Sequence, residues 1–133
     1  MISFRVYVEG GRGGPYYEVN IFPDRKKMWD FCRVTTKEIG GRVPRGYEAL
    51  TQTWVGGGKL SLGRVLFHKR ELGAGIVAHE MTHAAMWWAK RRRLRPDRPR
   101  GEEHLAWAVG NLVSQFWKRF YDQERKPGVS LPK

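Results

Sequence analysis

Residues 75–88 read GIVAHEMTHAAMWW and hold two of the four histidines in the chain. On an α-helix, side chains four apart stand on one face a turn apart, so His79 and His83 can offer two imidazole nitrogens to one ion. Glu80 follows the first histidine, where its carboxylate can reach a water held by that ion and take a proton from it. The order His-Glu-x-x-His therefore supplies two ligands and a general base. Zinc at such a site lowers the pKa of its bound water to about 7 and polarises a carbonyl oxygen, the two effects that peptide hydrolysis needs. A shuffled chain of this composition would hold about 0.008 such patterns, so coincidence is a small risk. The competing explanation is a pair of hydrogen-bonded histidines in a helical core. It must also account for a buried, unpaired Glu80, which would be destabilising.

A catalytic zinc site takes a third protein ligand and keeps one position open. GEEHLAWAVGNLV begins a later helix with Glu102, Glu103 and His104, which lie 19, 20 and 21 residues after His83. VAHEMTHA followed by EEHLA resembles the gluzincin arrangement of zinc metallopeptidases, in which a glutamate roughly twenty residues after the second histidine completes the site, often within E-x-x-A. That resemblance implies Glu103, with Ala106 three residues on. Helix geometry keeps Glu102 as the alternative: at roughly 100° per residue it lies nearer the stripe of Leu105, Val109 and Leu112, whereas Glu103 points away from it. Acids in a first helical turn also complement the helix dipole with no metal present. His104 reads as a surface residue, and His68, at the end of a strand, as structural or solvated.

The resemblance spans roughly residues 60 to 120 and extends to small zincin-like proteins, including some encoded by phages and prophages. It implies a minimal zincin-like fold, one zinc ion per chain, and a peptide or protein substrate. It also implies an edge strand before the metal-binding helix that aligns the substrate backbone, and KLSLGRVLF stands where that strand is expected. The chain departs from larger peptidases in lacking a C-terminal subdomain, and no distinctive motif supplies the His or Tyr that often stabilises their oxyanion.

The elements that must position these residues follow from periodicity. ISFRVYVEG and YYEVNIF alternate about the break GRGGP, so residues 2–22 read as a hairpin. GGRGGP lacks the lysine and the strand-to-helix setting of a phosphate loop and reads as the hairpin tip. PDRKKMWDFCRVTTKEIGG offers Asp24 as an N-cap, apolar residues at helical spacing, and a stop at Gly40 and Gly41. YEALTQTWV and KLSLGRVLFHK are β-rich runs either side of Gly56, Gly57 and Gly58, which predicts an antiparallel pair. From about Glu71 to Arg92 the apolar period becomes helical. A last helix is expected from about Gly101 to Glu124, with Leu105, Val109, Leu112, Phe116 and Phe120 on one stripe. Trp87, Trp88, Trp107, Trp117 and Phe120 are expected to pack these two helices together.

Together these elements predict an α+β fold, a small, mostly antiparallel sheet packed against a metal-binding helix and a C-terminal helix. At 133 residues the chain suits one domain over residues 1–125, with a flexible basic tail at 126–133. With 41% hydrophobic residues it is too apolar for a disordered chain. The formal charge of +12 predicts attraction to polyanions, and residues 90–101 alone carry seven Lys or Arg as an exposed connection. Nucleic acid or an acidic protein could bind through the 90–100 segment, and a metal-stabilised, non-catalytic binding module is the alternative to a peptidase. Cys32 is the only cysteine, which excludes an internal disulfide and a cysteine-only zinc site and suits a buried thiol in a reducing cytosol. No basic segment followed by a long apolar run opens the sequence and no membrane span is evident, so a cytoplasmic protein is expected.

Overall fold

The computed structural model describes residues 1–38, 47–54 and 60–125. β1 (Ile2–Tyr7) and β2 (Tyr16–Phe22) form the expected antiparallel hairpin, with Phe4 opposite Val19. The tip between them uses Gly10 and Gly13 at φ of 87° and 91°, a backbone region in which a side chain would be strained. α1 (Arg25–Glu38) is capped as its sequence predicts, Asp24 Oδ1 accepting the Lys27 N–H at 2.9 Å. β3 (Ala49–Thr53) and β4 (Ser61–His68) pair antiparallel, and β4 also pairs parallel with β2, giving the order β1-β2-β4-β3. The sheet is thus mixed, with two antiparallel ladders and one parallel. A 3-10 turn at Lys69–Glu71 then leads into α2 (Ala74–Arg91), later than the start expected near Glu71. α3 (Pro99–Glu124) completes the α+β fold.

The helices form a layer on each face of the sheet. α1 buries Met28 and Cys32 with Phe22 and Leu66. On the other face, α2 contributes Val77, Met81, Ala84 and Trp88, and α3 contributes Ala108, Leu112 and Phe116, to a core with Phe4, Val19, Val65 and Phe67. The predicted α3 stripe is borne out, since Leu105, Val109 and Phe120 pack partly buried against that core. Tyr17 joins the layers. Burial holds its hydroxyl protonated well above the usual phenol range, and that hydroxyl donates to the Ala84 carbonyl at 2.8 Å, one residue beyond His83.

Three expectations need correction. KLSLGRVLF does not form an edge strand: β4 is bonded on both sides, and the edge strand next to it is β3. The reason is burial on both faces, Leu66 toward α1 and Val65 and Phe67 toward the other layer, which is the pattern of an interior strand. Trp107 does not join the helix interface but is 50% exposed, because it lies roughly 200° around α3 from Leu105. The basic segment is also less of a connection than expected, since α2 and α3 extend into it and leave only residues 92–98 between them. The expected helix stop at Gly40 and Gly41, the turn at Gly56–Gly58 and the tail at 126–133 lie outside the described residues.

The two margins of the sheet are treated differently. At β1 the Gln115 side chain accepts the Tyr7 N–H at 2.8 Å and donates to the Tyr7 carbonyl at 2.7 Å, while Asn111 donates to the Val8 carbonyl at 3.1 Å. Side-chain amides from α3 therefore occupy backbone groups that an edge strand otherwise exposes. At β3 no strand covers the outer side among the described residues. No described helix is long and apolar enough to cross a membrane.

Candidate metal centre

The first half of α2 turns two different faces to its surroundings. Val77, Glu80, Met81, Ala84 and Ala85 are buried, whereas His79 and His83 are exposed on the flank. The His79 side chain is 67% exposed, which rules out a pair of core histidines. Only Glu80 of the three lies in the buried row, at 6% exposure.

The imidazoles converge. His79 Nε2 and His83 Nε2 are 3.2 Å apart, with their rings edge-on. Two nitrogens bound to one tetrahedral ion at about 2.0–2.1 Å should stand about 3.3–3.4 Å apart, so the separation of the pair is close to that of two zinc ligands. The same separation also suits an N–H···N hydrogen bond, which an ion would replace. Glu80 Oε2 lies 3.7 Å from His79 Nε2, and the ligand atoms of His79, Glu80 and His83 all fall within 4.8 Å of one another.

Thr51, on the edge strand β3, fixes the carboxylate. Its hydroxyl lies 2.8 Å from Glu80 Oε1 and 3.2 Å from the Glu80 carbonyl oxygen, so it donates to the side chain of the one buried acid in the cluster. The sequence reading missed this residue. Thr51 carries no local signal beyond its place in a β-rich run, and only the packing of β3 on α2 brings it to Glu80.

The cluster opens onto a cleft of about 620 Å³. Ala49, Leu50, Thr51 and Thr53 of β3 form one wall, and His79, Glu80, His83, Met86, Trp87 and Lys90 of α2 form the other. Tyr47 and Leu94 also line it. Trp87 therefore contributes to the cleft wall, beyond the helix packing expected of it.

Glu102 and Glu103 are both exposed in the first turns of α3, outside the His79–Glu80–His83 cluster and outside the cleft lining. His104 is exposed, as expected. His68 is buried and structural, with Nε2 2.7 Å from Glu48 Oε2, while Arg25 meets the other oxygen of that carboxylate at 3.4 Å. Comparison with protein-family models, with curated proteins and with solved structures found no match to this chain.

Proposed function

We propose that the protein is a zinc-dependent metallopeptidase of the zincin type, acting on a peptide or protein substrate. The observation that carries this reading is the convergence of His79 and His83 at 3.2 Å beside a buried carboxylate, in the wall of an open cleft. His79 and His83 would hold one zinc ion, and Glu103 or Glu102 would serve as the third ligand only if the start of α3 moves toward the imidazoles, since both stand outside the cluster and the cleft lining. When bound, zinc supplies a Lewis acid that polarises the scissile carbonyl and makes water acidic near neutral pH.

The chain's own groups divide the remaining work. Glu80 accepts the proton of the attacking water and can return it to the leaving amine. Thr51 holds Oε1 of that carboxylate and leaves Oε2 on the side of His79 to take the proton. An extended peptide laid along the outer side of β3 would gain main-chain hydrogen bonds, and Leu50, Met86 and Trp87 offer apolar surface to its side chains. The buried thiol of Cys32 suits a reducing cytoplasm.

Metal analysis tests the centre directly. Protein purified with zinc should carry about one ion per chain, and His79→Ala and His83→Ala should lose it. A folded wild-type protein that takes up no zinc would overturn the reading. Of Glu102→Gln and Glu103→Gln, the variant with weakened zinc binding identifies the third ligand, and unchanged affinity in both would assign that place elsewhere.

Thr51→Val should keep the zinc and lower kcat for casein-peptide hydrolysis by about 10- to 100-fold, the worth of one hydrogen bond to a charged group. Thr51→Ser should restore the rate, because it returns the hydroxyl. Equal loss in both variants would make the contact one of packing alone.

A further inference from the structure

We infer that the junction of α2 and α3 is a nucleic-acid-binding surface that holds the phosphate backbone at the mouth of the cleft. Four consecutive basic residues, Lys90 to Arg93, run from the last turn of α2 into the connection, and Arg98 and Arg100 open α3. All six are exposed. Arg92 is paired with Glu9 at 2.9 Å and Arg95 with Asp97, but Lys90, Arg91, Arg93, Arg98 and Arg100 make no ion pair among the described residues.

Local stability does not account for this arrangement. Lys90 and Arg91 in the last turn of α2 complement its dipole, so two of the charges have a structural use. Arg98 and Arg100 do the opposite, since Arg98 is the N-cap of α3 and Arg100 lies in its first turn, where the helix end is itself positive. Arg93 adds charge at a residue in the left-handed conformation, φ 57°, where the chain turns between the helices. Like charges crowded at a turn repel one another, and an external polyanion relieves that repulsion.

The surface fits phosphate better than protein. Within residues 90–100 the only large apolar side chain is Leu94, and it is half-buried against the core. A protein partner would need aromatic or aliphatic anchors, which this stretch lacks, whereas a nucleic-acid backbone can be held by guanidinium and ammonium groups. Arginine also matches the phosphate oxygens with a two-pronged donor. Lys90 belongs to both regions, as it lines the cleft that His79 and His83 share. A protein carried on bound nucleic acid would thereby be brought beside the metal centre. The binding itself does not depend on catalysis.

The test is fluorescence anisotropy of the zinc-loaded protein with labelled single-stranded and duplex 20-mers of mixed sequence, from low to moderate salt. One variant replaces Arg91, Arg93, Arg98 and Arg100 with Gln. A control removes equal charge elsewhere through Arg12, Lys27, Arg70 and Lys118→Gln, all exposed and without an ion pair among the described residues. The junction variant should lose more than about tenfold in affinity on at least one of the two probes, and on duplex its salt slope should fall by about 3. The control should lose less than about threefold. The half-variants Arg91→Gln/Arg93→Gln and Arg98→Gln/Arg100→Gln, each with a smaller loss, serve if the fourfold variant does not fold. Equal losses in junction and control variants would overturn the inference, as would wild type that binds neither probe. Competition by poly-glutamate as effective as that by DNA would overturn it in favour of an acidic protein partner.

Discussion

Glu80→Gln is expected to bind zinc as the wild type does and to lose about 10² to 10⁴-fold in peptide hydrolysis, the range that a positioned general base contributes. The amide is nearly isosteric and keeps an oxygen for the Thr51 hydroxyl at the same place. What it lacks is a site for the proton of the attacking water. The fold has no need of the charge, because a carboxylate at 6% exposure with one hydroxyl donor is an unfavourable core residue. The metal-free variant should therefore melt at the same temperature as the wild type or above it. Zinc titration, casein hydrolysis and a thermal melt on the same sample check all three parts. Retained hydrolysis would remove Glu80 from the proposed chemistry, and a large fall in melting temperature would make its role structural.

Phe116→Ala is expected to cost about 3–5 kcal/mol of stability, as for other fully buried aromatic residues cut to Ala. Phe116 has 0% exposure and its ring meets Phe4 at 5.7 Å, Phe67 at 5.1 Å, Trp117 at 5.0 Å and Phe120 at 6.0 Å between centroids. It is thus the point where α3 touches both β1 and β4. A domain is typically stable by only about 5–15 kcal/mol, so this loss removes a large share. Urea unfolding should show a lower midpoint with an unchanged slope. A change below about 1 kcal/mol would mean that the space closes around the smaller side chain.

What was legible in the sequence was local. His79, Glu80 and His83 are one, three and four positions apart, so helix geometry alone keeps them near one another. The hairpin of β1 and β2, the Asp24 cap and the stripe of Leu105, Leu112 and Phe116 rest on the same short-range rules. Sheet order is not local: nothing in the period of YYEVNIF says that it lies parallel to SLGRVLFH, or that ALTQT takes the outer place. One signal was present, since SLGRVLFH is apolar on both faces and ALTQT is not, which marks the first as an interior strand. Thr51 reaches Glu80 across 29 positions of sequence, and no periodicity encodes that contact. The place of Glu102 and Glu103 is hidden for a related reason: it is set by how α3 packs on α2 over the whole length of both helices, and that packing leaves them outside the cluster and the cleft lining.

The Gln115 clamp also governs how copies of this chain can meet. With the Tyr7 amide and carbonyl already engaged, β1 offers a second molecule no ladder to extend there. Among the described residues the outer side of β3 carries no such cover, and a strand of a second copy paired there would lie beside the cleft that β3 walls. Under the proposed function, such pairing would hinder peptide entry at high protein concentration and be released by dilution.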